Sequence, residues 1–321
     1  MTASAPAEVV CDYDGFDFPS LWRGRSKVTE VEQGLLGGML ATVDRRRVLE
    51  VGTGFGRLLG SIEAVSEEVV ATDFDRGSLA RLGGPPAGKR PTLRVAANIY
   101  HLPFVDGAFS AATLIRVYHH LSDPARALGE LRRVLSPGGH LIASYNPRPT
   151  VGTLVNDVQR ALHPSSEVAF HSITFHRGPH VELPPDPFPV HVGPRSEFHD
   201  TARAVGFALE GERVSGLEEY YLMRYVPARW FVQVGTALGR LPGFPMRFAV
   251  LAVPGAPPGP RPLPSEILVC PACRAPIRPV DGDPEVACPG CPFSGELRDG
   301  VLDLRYVPEG TPRFAGGRAH G

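Results

Sequence analysis

The stretch Val48-Leu49-Glu50-Val51-Gly52-Thr53-Gly54-Phe55-Gly56 decides the fold of this chain. Its apolar run breaks into three glycines at alternate positions, which predicts a β-strand that feeds a ligand-binding loop. Glycine can take positive φ at such a turn and leaves no Cβ between the backbone and a ligand, while the helix that follows presents unpaired N–H groups. A dinucleotide-binding loop has its third glycine where this chain has Arg57. The spacing therefore favours a nucleotide-type ligand and disfavours a nicotinamide dinucleotide.

A second short apolar run, Val69 to Thr72, ends at Asp73, which lies 21 residues beyond Gly52. A doubly wound nucleotide site places a carboxylate on ribose hydroxyls at about this distance, roughly 20 residues. Asp73 is therefore the predicted ribose ligand. Asp75 is an alternative carboxylate, and it also suits the N-cap of the next helix.

With Glu50, the glycine loop completes a pattern that resembles the first motif of the class I S-adenosylmethionine (SAM)-dependent methyltransferases. Three later segments extend this resemblance: residues 95–104, which end in Leu-Pro-Phe; residues 106–110; and residues 128–142, which contain a Pro-Gly-Gly turn. The Leu-Pro-Phe form resembles quinone and natural-product methyltransferases. The chain departs from the family at Asn98 and at Ser110, where an acid is usual.

The resemblance implies a Rossmann-like α/β fold with a seven-stranded sheet, and it implies SAM as the cofactor. The amide oxygen of Asn98 can still accept a hydrogen bond from the adenine amino group, and the Ile99 backbone can form a hydrogen bond with adenine N1. The residues implied in cofactor binding are Glu50, Gly52, Thr53, Gly54, Gly56, Asp73, Asn98 and Ile99.

Two histidines follow the predicted fourth strand, at the carboxyl edge of the sheet where open α/β folds bind ligands. Methyl transfer needs a base only if the nucleophile is protonated, and imidazole titrates near neutral pH. His119 and His120 are therefore candidate catalytic bases, with Tyr118 as a candidate that orients the substrate. The alternative is that these side chains only pack the loop, as a similar triplet does in many relatives.

Four of the five cysteines form two C-x-x-C pairs separated by 14 residues: Cys270, Cys273, Cys288 and Cys291. Paired knuckles at this spacing predict one tetrahedral Zn²⁺ whose four sulfur ligands leave no open position, so the metal is structural. Disulfides and a redox pair are the alternatives. The segment resembles the small zinc-ribbon activator subunit of tRNA, rRNA and release-factor methyltransferases. Its six arginines and eight acidic residues from 266 to 321 do not make a basic RNA-binding surface.

These features divide the chain into five predicted parts. Residues 1–43 form an N-terminal helical lid, with a helix from about Thr29; Trp22 is predicted to pack in the core, with a lid position for Trp22 and Arg23 as the alternative. Residues 44–253 form the methyltransferase domain, whose part after 151 governs substrate choice. A proline-rich linker (254–265), a zinc ribbon (266–308) and a flexible tail (309–321) follow.

Composition narrows the function further. The 321 residues are 43% hydrophobic and carry a net charge of −1, so no overall field attracts nucleic acid or an anionic membrane. No apolar run is long enough to span a membrane and no leader is evident, so a cytoplasmic location is expected. We therefore expect methyl transfer to a small or lipophilic acceptor, with the zinc ribbon acting in cis. An RNA or translation-factor (protein) methyltransferase with a built-in activator is the first alternative, and a catalytically silent SAM-binding protein is the second.

Overall fold

The structure is a computed structural model that describes residues 8–13, 16–150, 193–219, 225–256, 262–279 and 283–315. Part of the predicted substrate-choice segment (151–192 and 220–224), part of the linker (257–261) and the end of the tail (316–321) lie outside the described residues. The helices are α1 (Phe18–Leu21), α2 (Ser26–Leu40), α3 (Leu59–Val65), α4 (Arg76–Ala80), α5 (Pro124–Val134), α6 (Arg195–Ala204) and α7 (Ala228–Ala237).

Of the twelve strands in the described ranges, ten form one sheet, in the order β7-β8-β6-β5-β2-β3-β4-β11-β10-β9. The strands are β1 (Val10–Asp12), β2 (Arg47–Val51), β3 (Glu68–Asp73), β4 (Leu93–Ala96), β5 (Phe109–Leu114), β6 (Leu135–Tyr145), β7 (Ala208–Ser215), β8 (Met246–Ala252), β9 (Glu285–Ala287), β10 (Ser294–Arg298), β11 (Val301–Asp303) and β12 (Arg313–Ala315). The α/β prediction is confirmed, but a seven-stranded sheet is wrong for the whole chain. The cysteine-containing segment adds three strands to the seven that residues 47–252 supply.

The central strands are parallel and buried on both faces. β2 pairs with β3 on one side and with β5 on the other, and all five of its residues are buried. The chain leaves β2 towards β3 and β4, and later returns to β5 and β6, so the direction of the strand order reverses beside β2. Open α/β sheets bind ligands at this switch point, beyond the carboxyl ends of the strands.

The last strand of the domain, β8, lies between β6 and β7 and runs antiparallel to both. In the Pro-Gly-Gly turn Gly138 takes the positive φ, +73°. Ser110, at a position where an acid is usual in the family that the sequence resembles, is fully buried. Its hydroxyl accepts from the Arg47 amide at 3.1 Å and donates to the Arg47 carbonyl at 3.0 Å. A carboxylate at this position would lie against the Arg47 carbonyl oxygen with no proton to donate to it, whereas the serine hydroxyl donates one.

The cysteine-containing segment docks on the β4 edge of the sheet. β11 pairs in parallel with β4, and the Val105 amide donates to the Ile267 carbonyl at 2.9 Å. Arg274 reaches Glu130 of α5 at 2.9 Å. Parallel pairing with β11 satisfies an edge that would otherwise expose unpaired N–H and C=O groups. The segment is thus continuous with the sheet that carries the glycine loop.

The N-terminal residues cross the carboxyl edge of the sheet. β1 pairs in parallel with β12, so the beginning and the end of the described chain lie together. α2 begins at Ser26, three residues before the predicted start, and it buries Leu35, Leu36 and Leu40 against the sheet. Among the described residues, none of the helices is both long enough and apolar enough to cross a membrane.

Candidate functional site

The glycine loop turns sharply at the end of β2. Gly52, Gly54 and Gly56 have φ of +73°, +53° and +81°, a region that side chains with a Cβ rarely adopt. A Cβ on Gly52 would lie 2.2 Å from the Val117 side chain. The Gly52 and Thr53 amides both donate to the Thr72 carbonyl, at 2.8 and 3.0 Å. The loop is therefore fixed to β3 by its own backbone.

Asp73 closes this loop from the next strand. Its carboxylate accepts from the Gly54 amide at 2.7 Å and from the Asp75 amide at 2.9 Å. Burial raises the pKa of Asp73 to about 6 in spite of these donors. Asp75 is buried, occupies the N-cap position of α4 and does not line the cavity described below. Of the two carboxylates, Asp73 is the one placed to meet a ligand.

Glu50 lies at the base of the same loop. It is 6% exposed, and its Oε2 has no hydrogen-bond partner within the described part of the chain. Burial raises the pKa of Glu50 to about 8, and the nearby Glu63 and Asp73 act in the same direction. A cationic ligand beside this carboxyl group would favour its charged form and lower its pKa.

Asn98 lies at the opposite end of the site, beyond β4. Its Oδ1 accepts from the Tyr100 amide at 3.1 Å and caps the turn over residues 99–101. Its Nδ2 donates to Glu8 at 2.7 Å and to the Tyr306 carbonyl at 3.0 Å. One lone pair of the amide oxygen remains for a ligand donor.

These residues line one cavity of about 530 Å³. Of the predicted cofactor residues, Glu50, Gly52, Thr53, Gly54, Asp73, Asn98 and Ile99 line it, as do His119 and His120. Gly56 does not line it and instead turns the loop against Leu82, whose Cδ2 would lie 2.5 Å from a Cβ there. We call the strand ends and loops that follow β2 to β5 the floor of the cavity.

The N-terminal segment, which the sequence analysis assigned to a lid, covers the cavity with residues that we call the roof: Val9, Val10, Cys11, Tyr13, Phe16, Phe18 and Trp22. Of these, the sequence analysis named only Trp22, as an alternative lid residue. Tyr13 packs on Phe16 and Phe18 with ring centroids 5.9 and 5.2 Å apart. The aromatic spacing in residues 13–22 is the signal that could have identified this surface. Arg23 is exposed and lies outside the lining.

Trp22 lines the cavity, so the prediction that it packs in the core is wrong. The Arg57 guanidinium lies 3.8 Å from its ring centroid and that of Arg116 lies 4.9 Å away. Both cations pair with the fully buried Glu32 of α2, at 2.5 and 2.7 Å. The two arginines make cation–π contacts with the face of the Trp22 indole, and an apolar core would offer no such contact. Arg116 also has a φ of +60°, a strained conformation for a side chain of this size.

The two histidines differ in their surroundings. Burial lowers the pKa of His119 to about 3, and its Nδ1 has no hydrogen-bond partner among the residues the structure describes. His120 Nδ1 lies 3.0 Å from the Tyr13 hydroxyl of the roof. Tyr118 does not line the cavity and packs on Phe198 with centroids 5.0 Å apart, so its role in orienting a substrate is not supported. His119 is uncharged at neutral pH and is a weak proton acceptor.

The four cysteines of the C-terminal segment converge. Their Sγ atoms all lie within 4.8 Å of one another, with Cys270 and Cys291 at 3.6 Å and Cys273 and Cys288 at 3.4 Å. Four sulfurs at about 2.3 Å from a tetrahedral Zn²⁺ lie about 3.8 Å apart. The arrangement is thus compatible with a Cys₄ zinc site. None of the four cysteines lines the cavity.

Residues 49–143 match the protein family described as "Methyltransferase domain". The demethylmenaquinone methyltransferase of Thermus thermophilus is 37% identical over 110 residues, which cover 33% of this chain and 50% of that protein. The enzyme of the same name from Clavibacter sepedonicus is 33% identical over 129 residues, covering 39% and 53%. The chain spans about half the length of the curated relatives it matches.

Solved structures show distant likeness. A SAM-dependent methyltransferase from Thermotoga maritima has a TM-score of 0.49 and 15% identity, with 74% of this chain and 96% of that chain covered. A complex containing the Trm112 methyltransferase activator of Haloferax volcanii has a TM-score of 0.47 and 16% identity, with 74% of this chain and 99% of that chain covered. These likenesses are too distant to bear on substrate. The matched segment and its sequence relatives show that residues 49–143 form a methyltransferase domain.

Proposed function

We propose that the protein transfers a methyl group from SAM to a small, lipophilic, ring-containing acceptor. The observation that carries this proposal is one cavity in which the glycine loop, Asp73 and Asn98 face an aromatic roof. The volume of about 530 Å³ lies within the usual range for small-molecule sites. The names of the sequence relatives, which act on demethylmenaquinone, support the same class of acceptor.

We infer that each part of the cofactor meets a residue of the floor. Asp73 would accept from ribose hydroxyls, and Asn98 with Ile99 would meet adenine. Gly52, Thr53 and Gly54 bring the backbone close to the ligand, and Glu50 would face the cationic amino-acid end. Bound SAM supplies an electrophilic methyl group on a sulfonium.

The chain's own contribution to the chemistry is positioning and exclusion of water. A displacement at carbon depends on alignment of the two reacting groups, and binding both in one cavity provides much of the rate. We propose His119 Nδ1 as a hydrogen-bond acceptor that orients an acceptor hydroxyl. With its pKa near 3, His119 acts by orientation more than by holding a proton. His120 remains the candidate base, and Tyr13 would fix its ring through the Nδ1 contact.

The roof favours a planar apolar acceptor. Phe16, Phe18 and Trp22 present ring faces and edges, and the floor facing them adds Val117 and Leu121. Aromatic pairs are stabilised by stacking and edge contacts beyond their burial. An RNA acceptor would need clustered cations on the outer surface, and residues 266–321 have more acidic than basic side chains.

We also propose that the Cys₄ cluster holds a structural Zn²⁺ and that residues 266–308 stabilise the domain in cis. Soft thiolate donors suit zinc, and four of them leave no position for a substrate or water. The parallel pairing of β11 with β4 supports this role, since it joins the cluster's segment to the strand that precedes Asn98. Zinc content of the purified chain should then be one ion per chain.

Two measurements test the proposal. Calorimetric titration with S-adenosylhomocysteine and with NAD identifies the cofactor; binding of NAD alone would refute the SAM assignment. Transfer of labelled methyl is then compared for reduced demethylmenaquinone, bulk RNA and bulk protein. Label in the quinone supports the proposal. Label in RNA or a translation factor would replace it with the alternative acceptor, and binding without transfer to any of the three would indicate a silent SAM-binding protein.

A further inference from the structure

The end of β11 lies directly behind the adenine end of the cavity. β11 pairs with β4 through Asp303 and Ala96, and the Leu304 amide continues the ladder by donating to the Ala96 carbonyl at 2.9 Å. Asn98 is only two residues beyond this rung. The two residues after Leu304 are therefore held beside the floor of the cavity.

Arg305 holds Phe74, the residue that follows the predicted ribose ligand. Its guanidinium carbon lies 5.4 Å from the Phe74 ring centroid, and its Nη1 donates to the Phe74 carbonyl at 3.3 Å. Asp303 fixes the guanidinium through bonds of 2.9 and 2.6 Å to Nε and Nη2. Phe74 lines both the cavity and a polar cleft on the side of β10 and β11, whereas Arg305 lines only the cleft. Arg305 thus supports the ring from the side away from the cavity.

Tyr306 holds Asn98. Its carbonyl accepts from Asn98 Nδ2 at 3.0 Å, and Glu8 Oε1 accepts from the same nitrogen at 2.7 Å. Both acceptors come from outside the segment that matches the methyltransferase family. Because two oxygens face one end of this side chain, that end must be the NH₂ group. A carboxylate, which is usual at this position in the family that the sequence resembles, would oppose both oxygens.

We propose that residues 304–306 are part of the cofactor site. Arg305 positions the Phe74 ring against adenine, and the Tyr306 carbonyl with Glu8 fixes Asn98 so that its oxygen faces the adenine amino group. The C-terminal segment thus requires a hydrogen-bond donor at position 98, which asparagine provides and a carboxylate does not. This inference rests on the proposed function, because it takes adenine to lie between Phe74 and Asn98.

Arg305→Ala tests the first contact. We expect its affinity for S-adenosylhomocysteine and for 5′-methylthioadenosine to fall by the same factor, about fivefold to tenfold, because both ligands contain adenine. Arg298→Ala is the matched control, since Arg298 is 64% exposed on the adjacent strand β10 and does not reach the cavity lining. The effects of Arg305→Ala and Phe74→Leu should be less than additive in a double-mutant cycle. Additive effects, or unchanged affinity with Arg305→Ala, would overturn the role of Arg305.

Asn98→Asp tests the second contact, because it restores the residue usual in the family. We expect affinity for S-adenosylhomocysteine to fall about tenfold at pH 8, and Glu8→Gln to recover part of the loss by supplying a donor to the new carboxylate. Equal or tighter binding by Asn98→Asp would overturn the proposed match.

Thermal unfolding and zinc content of each variant separate a local effect from loss of fold. Failure of the unaltered protein to bind S-adenosylhomocysteine would refute the proposed function itself. Binding by the unaltered protein that is insensitive to Arg305→Ala and Asn98→Asp would refute only this inference.

Discussion

The floor and the roof of the cavity are built differently. The floor consists of loops fixed by backbone hydrogen bonds to neighbouring parallel strands, as the Gly52 and Thr53 amides are to Thr72. The roof consists of short segments held by a few side-chain contacts, such as the Val9 amide to the Ser122 hydroxyl at 3.0 Å and Tyr13 to His120 at 3.0 Å. β1 adds only three residues of pairing with β12. The floor is thus determined by the sheet, whereas the roof depends on contacts from distant parts of the chain.

This difference predicts how variants will behave. A change in the floor meets backbone atoms and packed side chains that cannot move without disturbing the sheet, so it should affect cofactor binding strongly. A change in the roof meets side chains that can be rearranged, so it should have smaller effects and should act on the acceptor as well as the cofactor.

Gly52→Ala should have the largest effect. The new Cβ would lie 2.2 Å from Val117, and alanine would have to hold a φ of +73°. Left-handed backbone costs about 1–2 kcal/mol and overpacking about 1–3 kcal/mol, so affinity for S-adenosylhomocysteine should fall by about 100-fold or more. Calorimetry measures the loss.

Gly60→Ala is the control for that variant. Gly60 lies in α3, and no atom lies within 4 Å of an added Cβ, so the helix should gain up to about 1 kcal/mol and binding should not change. Similar affinities for Gly52→Ala and Gly60→Ala would contradict the rigid floor.

Removal of the proposed Zn²⁺ should have the next largest effect. A chelator should loosen residues 266–315. This would break the hydrogen bond from Asn98 to the Tyr306 carbonyl and the pairing of β12 with β1. Two lost contacts of about 1 kcal/mol each correspond to about a 30-fold loss of affinity. The melting temperature should fall by roughly 4–8 °C, since each kcal/mol is worth about 2–4 °C in a chain of this size. Restored affinity after zinc is returned is the control; full affinity without metal would show that the roof and the adenine end hold without this segment.

The sequence predicts the floor much better than the roof, for a physical reason. A glycine loop after a buried strand, and Asp73 at a fixed distance, are local patterns whose geometry the parallel sheet then dictates. The pairing of β11 with β4, by contrast, joins residues more than 200 positions apart, and no local pattern records it. Trp22 shows the same limit, because the arginines beneath it come from two other loops and Glu32 from a helix. The sequence places Asn98 in the site, but only the fold shows what holds its amide.

Trp22→Leu tests the roof directly. Loss of the indole removes a cation–π contact worth about 0.5–2 kcal/mol, so KM for SAM should rise about fivefold to tenfold. Trp22→Phe should recover part of this because it keeps a ring over Arg57. Trp230→Leu is the control, since Trp230 is 53% exposed and does not line the cavity. An effect of Trp22→Leu as large as that of Gly52→Ala would remove the distinction between roof and floor.

Glu50→Gln should have the smallest effect, and one that depends on pH. Burial raises the pKa of Glu50 to about 8, so the free carboxyl is largely protonated at pH 6.5 and charged above pH 8. A ligand with an α-ammonium group binds the charged form better, and affinity should therefore rise as pH increases through about 8. The gain should be about threefold to tenfold, the size of a partly solvated ion pair. Glutamine cannot ionise, so affinities of the two proteins should be close at pH 6.5 and should diverge by pH 8.5. The ammonium group of S-adenosylhomocysteine titrates equally in the experiments on the unaltered protein and on Glu50→Gln, so it does not affect their comparison. Parallel pH profiles of the two proteins would show that Glu50 supports the loop without facing the ligand's charge.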